Sequence, residues 1–156
     1  MESRHASPVR TAPRRIFVWL GASVLSLAAH TGLAQPTAAD GAATKVIYEI
    51  PTKASARPVL RAVEAHLGAH GAITIAVVAH GRGVEALLRG ANDAQGVPYA
   101  PTLHRLAQKG VDFAVCGASL KQLGIATSRV VAEGRIVPSG SGEIARLVGA
   151  GYQPLN

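Results

Sequence analysis

Apolar and polar positions divide most of the chain into short apolar runs separated by more polar segments. The runs KVIYEI (45–50), AITIAVVAH (72–80) and VDFAVC (111–116) are apolar or β-branched and predict strands. RIV (135–137) predicts a fourth strand, and YQPL near residue 155 a short final one. Runs that are apolar on both faces are typical of strands buried between two layers of helices.

The segments between these strands carry apolar residues at helical spacing. Pro58 suits a first helical position, and Val59, Leu60, Val63 and Leu67 follow on one face. Further short helices are predicted over GVEALLRG, TLHRLAQK and ASLKQLG, each ended by a glycine or a polar turn.

A last helix is predicted after a serine cap, either Ser139 or Ser141, with Ile144, Leu147 and Val148 on one face. Strands that alternate with helices in this way are typical of a parallel sheet joined by right-handed crossovers. We therefore expect an α/β fold: a three-layer sandwich whose parallel sheet has four to five strands and helices on both faces.

The first 34 residues resemble an export signal. Arg10, Arg14 and Arg15 precede a short apolar run at 16–29, and small residues (GLA) follow before Gln35. The run is shorter than the ~20 residues of a spanning helix, which favours cleavage near Ala34 over an uncleaved anchor. PRRIFV also partly matches a twin-arginine signal.

This interpretation sets the expected domain organisation. Residues 1–34 are predicted to be a cleavable signal peptide, 35–43 a flexible linker and 44–156 a single domain. The mature protein is then expected to be periplasmic or secreted, with no stable membrane insertion after cleavage.

The charge of the chain changes this picture little. The formal net charge is +7, but the lysines and arginines are scattered, and aromatic residues make up only 4% of the chain. Nucleic-acid binding needs a basic stripe, with stacking aromatics where single strands are bound. We therefore expect no nucleic-acid partner.

Cys116 is the only cysteine, and two interpretations of it remain open. An exported chain with one cysteine has no internal disulfide, so the thiol is a candidate reactive group or intermolecular partner. Cys116 ends a strand and opens a helix, where backbone amides and the helix dipole stabilise a thiolate, and Gly117 would let a ligand approach. The alternative is a small buried hydrophobic residue.

Two other residues are expected beside Cys116. Parallel strands end at one edge of their sheet, where ligands bind in such folds, so His80, Cys116 and Ser139 should share that edge. His80 could take a proton or hydrogen-bond an anion held by the sulfur, or simply begin the next loop. The SGSG run that contains Ser139 could hold an anion or serve only as a helix cap.

Three other motifs give weaker indications of function. GRGVEA (81–86) loosely matches a dinucleotide loop, but the next strand ends in Cys116 rather than in an acidic residue. His66 and His70 are four positions apart without an evident third ligand, so no metal is expected. Ser139 does not lie in a G-x-S-x-G turn. We expect neither a cofactor nor a serine-hydrolase triad.

Taken in order, KVIYEI, VVAHGRGVEALL, LAQKGVDFAVCGASLKQLGI and IVPSGSGEIARLVGAGY resemble the DsrE/DsrF-like family, over about residues 44–153. The resemblance implies a small α/β sandwich that self-associates into trimers or hexamers. In sulfur-relay members, a cysteine at the position of Cys116 accepts sulfane sulfur as a persulfide. The resemblance thus implies a sulfurtransferase or sulfur carrier whose partner is a small sulfur compound or a sulfur-carrier protein.

Two hypotheses follow. In the first, an exported protein binds or relays reduced sulfur through Cys116, with His80 and the amides around Gly117 holding the anionic sulfur and Ser139 lining the rim. In the second, a non-catalytic homo-oligomer binds a small ligand, and Cys116 is only a wall residue of the cleft. Sulfur-relay members usually work in the cytoplasm, so the export signal argues against carrying over their role in tRNA modification.

Overall fold

The core of the protein is a five-stranded parallel sheet. The computed structural model describes residues 44–69 and 72–155, so the predicted signal peptide and linker and His70 lie outside the described residues. The strands are β1 (Thr44–Ile50), β2 (Ile73–Ala79), β3 (Asp112–Cys116), β4 (Gly134–Val137) and β5 (Gln153–Leu155). Their order across the sheet is β4-β3-β2-β1-β5, and every pairing is parallel. The predicted parallel α/β sheet is confirmed.

Four α-helices and two 3₁₀ helices connect these strands within the described residues. They are α1 (Lys53–Ala69), a 3₁₀ helix (Gly81–Leu87), α2 (Ala100–Gln108), α3 (Gly117–Gln122), a 3₁₀ helix (Thr127–Arg129) and α4 (Gly140–Gly149). None of these helices is both long enough and apolar enough to cross a bilayer.

The sheet separates two apolar cores. On one face, α1, α2, α3 and the first 3₁₀ helix pack against residues such as Val77, Phe113 and Val115. On the other face, Leu147 of α4 packs against small or branched strand residues such as Ala76. Both faces of the central strands are therefore buried, which explains their continuous apolar sequences.

Helix α1 begins at Lys53, so the prediction of a start at Pro58 is wrong. Thr52 caps the helix: its Oγ1 accepts a hydrogen bond from the Ser55 N–H, and the Ser55 Oγ accepts one from the Thr52 N–H, both at 3.2 Å. Pro58 lies inside the helix. The carbonyl of Ala54 loses its usual donor there, but Ala54 is exposed, so water can replace it.

Two further helix predictions need correction. The segment after β2 forms a 3₁₀ helix ending at Leu87, because its backbone passes so close to β1 that a Cβ on Gly83 would lie 1.7 Å from the Ile50 carbonyl oxygen. Val148 is 46% exposed, whereas Leu147 beside it is buried. A helix that lies alone on a sheet buries only a narrow stripe, and Val148 falls outside that stripe.

Candidate functional site

The first residue of α4 brings together two of the predicted site residues. Cys116 ends β3 and His80 follows β2, so both lie at the carboxyl edge of the sheet. A Cβ placed on Gly140 would lie 2.8 Å from the Cβ of His80 and 3.5 Å from the Cβ of Cys116. Only glycine permits so close an approach, so the N-terminus of α4 packs directly on both residues.

The sulfur of Cys116 lies at the start of α3. Cys116 is the N-cap of this helix, and its Sγ accepts a hydrogen bond from the Ser119 N–H at 3.4 Å. The N–H of Ala118 donates to the Pro138 carbonyl oxygen at 3.2 Å, which ties the first turn of α3 to the end of β4. Gly140, the first residue of α4, packs against Cys116 from the other side.

These contacts affect the ionisation of the thiol. Burial raises the pKa of Cys116, because the residue is only 5% exposed and the thiolate loses hydration. The hydrogen bonds from Ser119, Gly140 and Ala118 stabilise the thiolate and outweigh burial, so the pKa is lowered overall. Cys116 therefore carries more thiolate near neutral pH than an ordinary cysteine does.

Ser119 is a site residue that the sequence analysis missed. It is buried, and its Oγ accepts a hydrogen bond of 2.9 Å from the backbone N–H of Gly81. Hydrogen bonding by the Ser119 side chain also lowers the pKa of the Cys116 thiol. The available signal was the Cys-x-x-Ser spacing at a strand-to-helix junction, which places the serine at the third position of the helix.

His80 lies at the predicted edge, but its ring is turned to a different partner. The Nε2 atom is 2.9 Å from Oε2 of Glu49, and the two side chains are each about 30% exposed. The backbone N–H of His80 donates to the Ile50 carbonyl oxygen. His80 and Glu49 therefore join the ends of β1 and β2, and Glu49 is a second residue that the sequence analysis missed.

Gly117 and Ser139 also lie at this edge, where each makes structural contacts. A Cβ on Gly117 would lie 3.1 Å from the Val137 carbonyl oxygen, so the space beside this glycine is taken up by β4. The Oγ of Ser139 accepts a hydrogen bond from the Gly142 N–H at 3.3 Å and lies 3.0 Å from Oγ of Ser141. Ser139 is thus the N-cap of α4.

The strand order reverses between β1 and β5, and an open groove lies there. It has a volume of about 480 Å³ and is lined by Tyr48, Glu49, Pro51, Ser55, Pro58, Val59, Ala62 and Leu155. Reversal points of this kind are common ligand sites in open α/β sheets. Cys116 does not line this groove, but the Glu49–His80 pair connects the groove with the residues around the sulfur.

Among residues 44–69 and 72–155, no three histidine, cysteine, aspartate or glutamate side chains are grouped so that they could hold a metal ion. Nδ1 of His66 lies 2.8 Å from the hydroxyl of Tyr48, which belongs to β1. His70, the other histidine of the i,i+4 pair, lies outside the described residues.

Comparison with known proteins identifies the family. Two similar solved structures are a protein of unknown function, MTH1491, from Methanobacterium thermoautotrophicum and the ychN protein from E. coli. The MTH1491 structure has 24% sequence identity to this chain and a TM-score of 0.64. The ychN structure has 16% sequence identity and a TM-score of 0.56. Each match covers 72% of this chain and 97% of the other chain. A search of curated proteins found no match. The pattern of the DsrE/DsrF-like family matches residues 43–156, and the chain belongs to that family.

Proposed function

We propose that this protein binds or relays reduced sulfur through Cys116. The observation that carries the proposal is the position of Sγ at the start of α3, where it accepts a hydrogen bond from the Ser119 N–H at 3.4 Å and the pKa of the thiol is lowered despite its burial. A thiolate is the form that attacks sulfur, and the same helix N-terminus can stabilise the negative charge of a persulfide. Membership of a family with a sulfur-relay type of fold supports this chemistry.

The transfer step conserves electrons without an added oxidant. The Cys116 thiolate attacks the terminal sulfane sulfur of a donor such as a polysulfide or thiosulfate. A new S–S bond forms at Sγ while the S–S bond of the donor breaks. The shorter polysulfide, or sulfite, leaves with the electron pair, and Cys116 carries the outer sulfur as a persulfide anion. An acceptor thiolate then attacks that outer sulfur and regenerates the Cys116 thiolate.

The burial of the thiol favours a small donor. Cys116 is only 5% exposed, and Gly140 packs over it. A chain of bare sulfur atoms carries no substituents and reaches such an atom more easily than a bulky organic disulfide does. We therefore place small inorganic sulfur compounds ahead of carrier proteins as the donor.

Mass spectrometry of the intact protein tests the proposal. After incubation with polysulfide and removal of excess reagent, Cys116 should gain one sulfur atom, and reduction should remove it. The Cys116→Ser variant is the control and should gain none. The absence of the adduct, or alkylation of Cys116 no faster than that of a free thiol at neutral pH, would contradict sulfur relay.

A second candidate function is non-catalytic binding of a small ligand. The groove between β1 and β5 favours it, because its lining is mostly apolar with Glu49 as a single carboxylate. In that case Cys116, which does not line this groove, would be a buried residue with no chemistry. Substitution of Val59 by a larger residue should then weaken ligand binding, while Cys116→Ser should not.

We also propose that the mature protein is exported to the periplasm or secreted and self-associates as a trimer or hexamer. The N-terminal sequence supports export. Association is supported by β4, an edge strand whose Ile136 is 45% exposed. The native mass in solution should exceed that of one chain, and Ile136→Glu should reduce it. Val97→Glu, at a loop residue that is 50% exposed, is the matched control.

A further inference from the structure

Several cations in the described part of the chain form no ion pair with a carboxylate there. Within the described residues, every aspartate and glutamate already pairs with an arginine or a histidine. Lys53, Arg61, Arg89 and Arg129 have no carboxylate partner in this part of the chain. Surface cations without an ion pair are common in proteins, so these four indicate a binding site only if they lie close together.

These four cations cluster around one loop. Lys53, Arg89 and Arg129 line a groove of about 680 Å³ on one side of the loop at 92–96. Lys53 and Arg61 line a second groove of about 560 Å³ that shares Asp93 and Ala94 with the first. Positive charge therefore borders both sides of the loop and is continuous through Lys53.

The backbone places two of these charges side by side. The N–H of Arg89 donates to the carbonyl oxygen of Arg129 at 2.8 Å, beside an antiparallel bridge between Leu88 and Val130. Like charges on neighbouring strand positions repel and destabilise the pairing. Within the described residues, neither arginine forms an ion pair that would offset this repulsion.

The carboxylates that line the larger groove do not cancel these charges. Glu85 forms an ion pair with Arg82 at 2.7 Å, and Asp93 forms one with Arg57 at 2.9 Å. Asp93 also accepts hydrogen bonds from the N–H groups of Gln95 and Val97, which fix the loop. The acids are thus occupied in holding the walls, and the net charge of the groove is positive.

We propose that this groove binds the phosphate chain of a small molecule, either free or esterified to a nucleoside. Guanidinium groups match phosphate oxygens in charge and in planar geometry. Lys53 is the first residue of α1, so the dipole of a 17-residue helix adds to the attraction for an anion. The larger groove falls within the volume range of sites that hold small ligands.

Calorimetric titration of the full chain with sodium tripolyphosphate at low salt tests this proposal. The double variant Arg89→Gln/Arg129→Gln removes the two neighbouring positive charges. We expect that variant to weaken binding about tenfold, because two phosphate contacts are lost. A parallel titration with adenosine triphosphate distinguishes a free chain from an esterified one: equal affinity indicates the chain alone, and higher affinity a nucleoside contribution.

Lys109→Gln/Lys121→Gln is the matched control, since it removes the same charge from exposed lysines that do not line either groove. If the two double variants weaken tripolyphosphate binding equally, the effect comes from overall charge and the proposal is overturned. Undetectable binding by the unmodified protein would also overturn it. If the arginine variant does not fold, Lys53→Gln with Lys109→Gln as its single-charge control provides the comparison. Without ligand, the arginine variant should melt no lower than the unmodified protein, because the two side chains have no ion pair to lose.

Discussion

Ser119 connects the sulfur of Cys116 to a distant part of the chain. Its Oγ accepts a hydrogen bond from the N–H of Gly81, which lies 38 positions earlier, and its own N–H donates to the sulfur at 3.4 Å. Gly81 follows His80 directly, so the geometry of the β2 end and that of the thiol are coupled. Ser119 is a positioning residue for Cys116.

Replacement of Ser119 by alanine should make the thiol less reactive. The thiolate loses a hydrogen bond that stabilises it, so the pKa of Cys116 should rise. Alkylation by iodoacetamide at pH 7 should then slow by about tenfold, given the usual strength of hydrogen bonds to charged groups. The pH profile of the alkylation rate should shift to higher pH.

The matched control for this substitution is Ser128→Ala, because Ser128 is an exposed serine in the second 3₁₀ helix. Ser119→Ala also leaves the Gly81 N–H without its partner, which should cost about 1–3 kcal/mol of stability. A variant that loses this stability while keeping an unchanged pH profile would show that Ser119 only supports the fold.

At the scale of residues, local sequence patterns predict the position of Cys116 better than they predict which residues contact it. The end of an apolar strand followed by glycine placed the thiol at a helix N-terminus, as observed. Glu49 reaches His80 from a neighbouring strand, and Gly140 reaches the sulfur from a helix that begins after β4. Contacts between strands depend on sheet order, which a single sequence does not specify.

At the scale of elements, the position of α4 controls the site. Its first residue lies against both His80 and Cys116, and its N-cap Ser139 follows β4. Hydrogen bonding by the Gly140 backbone also lowers the pKa of the Cys116 thiol. Displacement of this helix end by even a fraction of an ångström would therefore weaken the support of the thiolate.

Gly140→Ala should produce that displacement. The added Cβ would lie 2.8 Å from the Cβ of His80, which is closer than two such atoms approach. We expect a loss of about 1–3 kcal/mol from overpacking, together with slower alkylation of Cys116. Urea unfolding and alkylation kinetics measure the two effects.

Gly142→Ala in the same helix is the control. Its Cβ would lie 3.6 Å from the Cβ of Ser139, an ordinary contact, and alanine favours a helix over glycine by as much as ~1 kcal/mol. This variant should be as stable as the original protein or more stable, with unchanged alkylation. Equal effects of the two substitutions would contradict the role assigned to Gly140.

The boundaries of the elements show where sequence patterns succeed and fail. The strands β1, β2 and β3 follow from apolar runs that predict their burial, whereas the shorter edge strands β4 and β5 are largely exposed. Pro58 predicts a later start of α1 than the one set by the Thr52–Ser55 cap, because proline is common at first helical positions and yet fits inside this helix. The local pattern after β2 predicts an α-helix rather than a 3₁₀ helix, because the close contact of Gly83 with the Ile50 backbone is a tertiary feature.

At the scale of the molecule, one ionic network attaches α4 to the sheet. Arg135 of β4 bonds Asp112 of β3 at 2.7 Å and Glu143 of α4 at 2.5 Å, and Arg146 bonds Glu143 at 2.6 Å. Glu143 is buried. The hydrogen bond from Arg146 lowers the pKa of Glu143, and burial raises it. The hydrogen bond from Arg135 lowers it further, so the pKa of Glu143 is about 2.

Because of this network, the free energy of unfolding should depend on pH. Because the pKa of Glu143 is lower in the folded chain, its contribution is fully present above its unfolded pKa and is lost as the pH falls towards 2. Glu143→Gln should cost on the order of 2 kcal/mol at pH 7, because it leaves Arg146 without its partner. The difference in unfolding free energy between variant and original should narrow steadily below about pH 4.

Glu133→Gln is the matched control. Glu133 pairs with His104, whose side chain is 62% exposed, so its removal should cost less than about 1 kcal/mol at pH 7. Circular dichroism during urea titration at several pH values measures both variants. A Glu143→Gln effect that is the same at pH 7 and pH 3 would contradict an ionic origin.

The strand order also affects how the protein folds as it is made. Among the described residues, β5 is the last strand along the chain and pairs with the first, β1, so one edge of β1 lacks this partner until Gln153–Leu155 have been synthesised. The loop closed by this pairing spans nearly the whole domain, which makes it a slow step in folding. Until it is complete, β1 presents an open edge to other chains, and nascent or C-terminally shortened chains should be the ones most prone to aggregate.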